Sequence, residues 1–246
     1  MIKGSISVVI PCFNEETTIF GNLIKINRYL ESTFQSFEII AVNDGSNDDT
    51  MGELLKVKEL FPLKVISLQK NEGKGGAVKK GFLESKNDIV MFLDADLAIP
   101  IEELDKFVAT TKNGFDIAIA SRFVPGLKIK KRVVWYRKFM EHIFRLMRMA
   151  IINNYDIRDT QCGFKVFSRH AAMAIFPQLT ISRFAFDSEI IFIARKMGLK
   201  IKELPITLQN PRESHVRLLR DPLNMTKDLL KIRFNQLKGK YNFKIN

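Results

Sequence analysis

The chain has 246 residues, 46% hydrophobic and 27% charged, a balance that excludes a disordered or fibrous protein and suits one α/β domain with an appended segment. Its formal charge of +12 points to an anionic partner: nucleic acid, a phosphate-rich substrate or an acidic membrane surface. Cys12 and Cys162 are the only cysteines, without disulfide-framework or zinc-ligand spacing, so two free thiols in a reducing compartment are expected.

A strand-like run, Ile6 to Ile10, begins within a few residues of Met1 and leaves no room for a secretory signal peptide. Helical spacing follows from Glu16 to Leu30, then a strand over Glu38 to Val42 and a helix over Asp48 to Leu60. The rhythm repeats with a strand at Val65 to Leu68, a helix from Gly75 to Ser85 and a strand at Ile89 to Leu93. A helix over Glu102 to Thr111 and a strand over Ile117 to Ala120 complete it. Continuous apolar strands alternating with helices predict a largely parallel sheet covered on both faces, with ligands at the carboxyl ends of its strands.

After Arg122 the alternation stops. A basic loop, Phe123 to Arg132, leads to one long helix from Val133 to Ile152. On that helix Lys138, Glu141, His142, Arg145 and Arg148 gather on one side. Two readings stand: a core helix with a solvated face, or a helix lying in a membrane interface with its basic side toward head groups. A second basic amphipathic helix runs from about Leu223 to Leu237, ahead of a lysine-bearing tail. No apolar run reaches the ~18 residues needed to span a bilayer.

Asp94 and Asp96 follow directly on the strand Ile89 to Leu93. Residues two apart on extended chain point the same way, so both carboxylates can converge on one divalent cation. Oxygen-only ligands favour Mg²⁺ or Mn²⁺ over zinc. The alternative is one aspartate capping the next helix and the other in solvent. Asp44, in Asn43-Asp44-Gly45-Ser46, either accepts a hydrogen bond from a ligand or makes an Asx turn. Asn14-Glu15 divides between helix capping and ligand contact. The turn Asn71 to Gly76 (NEGKGG) opens onto a helix, where its backbone and Lys74 can approach a phosphate, although its spacing is not that of a P-loop. Asp159, Asp187 and Glu189 are candidate bases, with helix N-terminal complementation the rival role for the last two.

Taken together, SVVIPCFNE, VNDGSNDDT, KNEGKGGAVKKG, FLDADLAIP and ASRF occur in the order found in family 2 glycosyltransferases of the GT-A fold, which this chain resembles. Farther on, IRDTQCGFKVF, SRFAFDSEI and MTKDLLKIRF resemble the dolichyl-phosphate β-glucosyltransferase branch, kin of the dolichyl-phosphate mannose synthases. The likeness runs from about Ser5 to Gly239.

The resemblance implies a Rossmann-like GT-A catalytic domain over 1–218 and a basic amphipathic helix and tail over 219–246. It implies an inverting, metal-dependent hexosyltransferase with a nucleotide-sugar donor, UDP-glucose first, and a polyprenyl phosphate acceptor. Donor contacts fall on Pro11, Asn14, Glu15, Asp44, Lys74, Gly75, Asp94, Ala95 and Asp96, with Asp94 and Asp96 holding Mg²⁺ or Mn²⁺. The acceptor phosphate is assigned to Arg122, Lys131, Arg132, Arg137, Gln161, Arg212 and Ser214. Asp94, Asp96, Arg122, Arg137 and Asp187 form the catalytic set.

Two departures stand out. Ala98 occupies the place of a metal-contacting Gln of the mannose synthases, and Glu213-Ser214-His215 replaces a Gly-Ser-Lys turn. The eukaryotic relatives carry a membrane-spanning segment ahead of this region; here peripheral association with the cytosolic membrane face, without a transmembrane helix, is expected. Other sugars, namely mannose or an N-acetylhexosamine, and a soluble or polysaccharide acceptor are the alternatives. A nucleic-acid-binding protein would explain the charge but leave the paired carboxylates without purpose, and no nucleic-acid motif is visible.

Overall fold

The computed structural model describes residues 2–129, 135–153, 155–209 and 220–241, and their side chains except those of 2–3, 129, 135–142 and 220–223. The strands among them are β1 (Ile2–Cys12), β2 (Phe34–Asn43), β3 (Lys64–Ser67), β4 (Ile89–Leu93), β5 (Ile117–Ser121), β6 (Lys128–Ile129), β7 (Phe164–Ser168), β8 (Ile201–Pro205) and β9 (Thr207–Leu208). The helices are α1 (Ile19–Thr33), α2 (Thr50–Leu60), α3 (Lys74–Leu83), α4 (Leu104–Lys112), α5 (Trp135–Ile152), α6 (Arg169–Ile175), α7 (Phe186–Lys196) and α8 (Arg220–Leu237).

Seven strands form one sheet in the order β3-β2-β1-β4-β7-β5-β8, and β6 pairs with β9 apart from it. Pairings are parallel except at β7, which runs antiparallel to both β4 and β5. The expected parallel sheet is therefore present, with one reversed strand inserted at its centre. β7 escaped the sequence reading because Lys165 interrupts its apolar run.

Alternation along the strands divides the core between the two faces. Ile6, Val8 and Ile10 of β1 join Leu23 and Ile26 of α1 and Phe107 of α4 on one side. Val9 turns to the other side, with Phe82 of α3, Phe186 of α7 and Ile232 of α8. There Phe82 stacks on Phe176 at 3.6 Å between centroids and meets Phe167 edge-on at 5.3 Å. Each fully buried ring or branched aliphatic contributes about 1.5–3 kcal/mol of transfer free energy, enough to fix the sheet order around the site.

The reading of α5 as carrying a basic outer side is corrected at Arg148, which is 1% exposed. Its guanidinium donates to the Ile157 carbonyl at 2.8 Å, because the segment after the helix folds back across it. Burial pushes the Arg148 pKa down to about 10. The side chains of Lys138, Glu141 and His142 lie outside the described residues.

The C-terminal helix is fastened to the core by a buried polar cluster. Glu189 of α7 accepts hydrogen bonds from the Thr180 and Ile181 amides at 3.0 and 2.8 Å and from the Tyr241 hydroxyl at 2.5 Å. Asn235 of α8 donates to the Thr180 hydroxyl at 3.0 Å. Glu189 is thus a structural acceptor, which answers its candidacy as a base. Tyr241→Phe removes a donor from a buried carboxylate and is expected to cost about 1–3 kcal/mol in a urea titration; a loss under ~0.3 kcal/mol would deny the bond any role. Burial, then the Glu189 charge, push the Tyr241 pKa up to about 12. The folded phenol holds its proton longer than the unfolded one, whose pKa is ~10. Its contribution is complete below that pH and is lost as pH rises toward about 12, a loss Tyr241→Phe should not show.

Among the described residues no helix is long and apolar enough to cross a membrane.

Candidate active site

The carboxyl end of β4 delivers Asp94 to the edge of the sheet, as the strand–carboxylate pattern predicts. The Asp94 amide donates to the Gly163 carbonyl at 3.1 Å, and the Leu97 amide returns to the Asp94 carbonyl at 3.2 Å. This tight turn puts Leu97 at φ 49, a left-handed conformation costly for a branched side chain. It also turns the Asp96 carboxylate to accept the Ala98 amide at 3.0 Å. Ala98 therefore holds Asp96 through its main-chain N–H and has no side-chain oxygen to offer a metal at this position.

Two ion pairs stand side by side beneath this turn. The Lys74 ammonium lies 2.5 Å from Asp94 Oδ1. The Lys165 ammonium, fully buried, lies 2.5 Å from Asp187 Oδ1 and donates to the Cys162 carbonyl at 2.6 Å. Both cations also face the Phe92 ring, at 5.8 and 4.9 Å from its centroid. Burial opposes the Lys74 charge, yet Asp94 and Asp187 more than offset it and raise its pKa. Burial likewise raises the Asp187 pKa, against the lowering pull of Lys165 and Lys74. Asp187 is thus engaged with a buried lysine rather than standing open as a base.

The glycine-rich turn serves a purpose different from the one its composition suggested. Asp44 takes the Glu72 and Gly73 amides at 2.7 and 2.9 Å, and the Gly76 amide goes to the Ser182 carbonyl at 3.0 Å. Those three amides are spent inside the protein and are not offered to a ligand. The glycines are required by contact. A Cβ on Gly73, itself at φ 96, would lie 2.6 Å from the Ser182 carbonyl oxygen, and one on Gly75 would lie 2.6 Å from Phe186 Cβ. Burial raises the Asp44 pKa, although the two amides resist it. Asp44 makes no Asx turn; beside it the Asn43 side-chain oxygen accepts the Ser46 amide, three residues on, at 3.1 Å.

Asn14, at φ 56, ties the end of β1 to that of β2: its amide donates to Ser46 Oγ at 3.0 Å and its side-chain oxygen accepts the Asn47 amide at 2.9 Å. Glu15 is buried, and its carboxylate accepts the Thr18 hydroxyl at 2.8 Å. Pro11 lies within β1 opposite Val42, and the Ala95 carbonyl accepts from Asn22 at 2.7 Å.

Across β5, Arg122 is gripped by Asp159. Its Nε and one terminal nitrogen reach the two carboxylate oxygens at 2.7 and 3.1 Å, and its amide adds a third bond at 3.0 Å. Burial would raise the Asp159 pKa, but the Arg122 charge and hydrogen bonds prevail and hold it below its ordinary value. Glu203 accepts the Arg158 and Asp159 amides at 2.9 Å each. Asp159, a candidate base in sequence, proves to orient an arginine. Phe123 stacks between Arg122 and Arg145, whose guanidinium carbons lie 5.8 and 5.4 Å from its centroid. The Gln161 amide joins Asp159 at 3.1 Å. Lys131, Arg132, Arg212, Ser214 and the side chain of Arg137 lie outside the described residues.

Two residues of consequence were not linked to the acidic side chains in sequence, although Gly163 was expected to shape an acceptor loop. Lys165 shows itself only as a lysine inside the apolar run FKVF. Gly163 lies against Asp94: a Cβ there would sit 1.9 Å from Asp94 Oδ2. Both cysteines are buried and free; burial pushes the Cys162 thiol up to about 12, so it stays an unreactive thiol.

Residues 7–176 match the family described as Glycosyl transferase family 2. A dolichyl-phosphate beta-glucosyltransferase of Saccharomyces cerevisiae is 34% identical to this chain, over 96% of it and 76% of the relative. Its Homo sapiens counterpart by name is 32% identical, over 95% and 76%. Among solved structures, a glucosyl-3-phosphoglycerate synthase from Mycobacterium tuberculosis in complex with Mn²⁺, UDP and its product superposes with a TM-score of 0.69 at 17% identity, covering 98% of this chain and 81% of that one. The same synthase with Mg²⁺ and UDP gives a TM-score of 0.64. At that identity the likeness carries the fold, and the expected GT-A architecture is present.

Proposed function

Because the chain belongs to glycosyl transferase family 2, whose members transfer sugars from nucleotide donors, we propose that it moves glucose from UDP-glucose to a polyprenyl phosphate, dolichyl phosphate in particular, with inversion. What carries the reading is the carboxyl edge of β4, where Asp94 pairs with Lys74 and Asp96 follows in the same turn, in a chain similar to dolichyl-phosphate beta-glucosyltransferases along nearly its whole length.

The donor set fits a hard divalent cation. Among the described residues no cluster of three or more metal-ligating side chains occurs. Two carboxylates, completed by donor diphosphate oxygens and water, are what Mg²⁺ or Mn²⁺ uses. Bound there, the cation supplies charge stabilisation to the departing nucleoside diphosphate. Lys74 adds a positive charge from the first turn of α3, and the Asp44-anchored turn holds that helix in place.

On the acceptor side, Arg122 is held in one orientation by Asp159, so little order is lost when it meets a phosphate. Lys131, Arg132, Arg137, Gln161, Arg212 and Ser214 complete the proposed acceptor set. The attacking phosphate is already largely ionised at neutral pH, its second pKa being ~6, and needs no protein base. Asp187 fits that economy: its role is to keep buried Lys165 charged beneath the site.

We place residues 1–218 in the catalytic domain and 219–246 in a basic helix and tail that meet the cytosolic face of an anionic membrane. Leu230, Phe234 and Leu237 of α8 are each more than half exposed, next to Lys227, Lys231 and Lys238. A stripe of that kind suits shallow burial among acidic head groups.

The test uses the whole chain with Mn²⁺, radiolabelled UDP-glucose and dolichyl phosphate in vesicles. Label is expected in a butanol-soluble, acid-labile lipid, with GDP-mannose and UDP-GlcNAc poor donors. Label confined to water-soluble products, whichever donor is supplied, would overturn the acceptor.

A further inference from the structure

We propose that Lys74 is a placeholder cation: its ammonium holds the Asp94 oxygen that the divalent metal needs, and it is released to the donor diphosphate when metal and nucleotide arrive together. The proposal rests on the reading of Asp94 and Asp96 as the metal ligands.

Three observations lead to it. First, the two oxygens of Asp94 are not equivalent. Oδ2 lies against the Gly163 main chain, where even a methyl group would fall 1.9 Å away, while Oδ1 is held by Lys74 at 2.5 Å. The Asp94 side chain is 42% exposed, so an incoming ion can reach it, and Lys74 already holds one of its two oxygens. A metal on that oxygen would stand roughly 4 Å from the ammonium, where the two positive charges repel, so each weakens the other's hold on Asp94.

Second, Lys74 cannot retire into water. Its side chain is 19% exposed and leaves from the first turn of α3, which Asp44 and the Gly75–Phe186 contact hold fixed. Third, the other nearby carboxylate is already matched, because Asp187 Oδ1 carries the Lys165 ammonium at 2.5 Å. A displaced Lys74 therefore gains its best new partner only when a diphosphate is present.

The consequence is coupling. Metal alone weakens the Lys74–Asp94 pair and leaves a largely buried ammonium poorly matched, so it binds weakly. Metal with UDP exchanges one ion pair for two. The linkage is reciprocal: Mn²⁺ strengthens UDP binding by the factor by which UDP strengthens Mn²⁺ binding.

Mn²⁺ binding can be followed by the electron paramagnetic resonance signal of the free ion, with and without UDP, in wild type, Lys74→Met and Asp94→Asn. Lys74→Met keeps the length of the side chain and removes its charge; Lys74→Gln is a second choice should the first fail to fold. Either variant is expected to bind Mn²⁺ alone about tenfold more tightly than wild type, and to lose most of the enhancement that UDP produces. If Asp94→Asn abolishes Mn²⁺–UDP binding while the Lys74 variants bind Mn²⁺ alone no more tightly than wild type, the exchange is wrong and the metal site stands. If Asp94→Asn binds Mn²⁺ with UDP as wild type does, the metal site itself is misplaced and the exchange falls with it.

Discussion

Asp96→Asn is expected to lower glucosyl transfer by at least about 10²–10³-fold, the scale on which loss of one electrostatic stabiliser of developing charge is felt. The fold should survive. Asp96 Oδ1 accepts the Ala98 amide at 3.0 Å, and an asparagine oxygen can accept the same bond, so the Leu97 turn keeps its anchor. What disappears is one of the two negative charges proposed to hold the metal. Transfer is measured as labelled lipid formed from UDP-glucose, alongside a thermal melt. Turnover within a few-fold of wild type, with an unchanged melt, would remove Asp96 from the metal site.

Gly163→Ala should be nearly as damaging, although it adds a single methyl group far from Asp94 in sequence. The new Cβ would lie 1.9, 2.3 and 2.5 Å from Asp94 Oδ2, Cγ and Oδ1. No backbone atom is among its three nearest contacts, and Gly163 is absent from the left-handed residues, so the bend just ahead of β7 can itself accept alanine. The strain is relieved by swinging the carboxylate aside. A displacement of order ~1 Å in such a group costs about 10²-fold in rate. Mn²⁺–UDP affinity should fall in parallel, while stability changes by only ~1 kcal/mol, in the usual range for a tolerated substitution. A variant with normal affinity and rate would show that Asp94 works from some other position.

These two substitutions separate what can be read locally from what cannot. The Asp94–Asp96 segment was legible as a strand end because its signal is local, five apolar residues of β4 and then two acids; a turn closed by Asp94 and Leu97, not the extended chain expected, sets where those carboxylates point. The helices α1 to α5 were legible on the same terms, their apolar spacing fixing type and approximate limits. Asp44 was found as a residue at a strand end, but its partners were not, since the amides of Glu72 and Gly73 lie beyond an intervening helix and strand. The glycines of NEGKGG suggested a phosphate cradle by composition. Only the packed structure shows that Gly73 and Gly75 are small because Ser182 and Phe186 press against them.

Arg148 makes the same point for charge. Helical spacing grouped it with residues of a polar side, yet the backbone that returns over α5 buries it and supplies carbonyl partners. Spacing tells which residues share a face of a helix; it does not tell what will cover that face.

The sequence by itself determined the α/β class and the family resemblance, because strand periodicity, turn residues and motif order are short-range properties of the chain. The tertiary structure decided that β7 enters antiparallel between β4 and β5, and with it that Gly163 lies under Asp94, that Lys165 neutralises Asp187, and that Asp159 aims Arg122. Strand order is set by the total burial of both sheet faces, a sum over the whole chain, so contacts across it are absent from any local pattern.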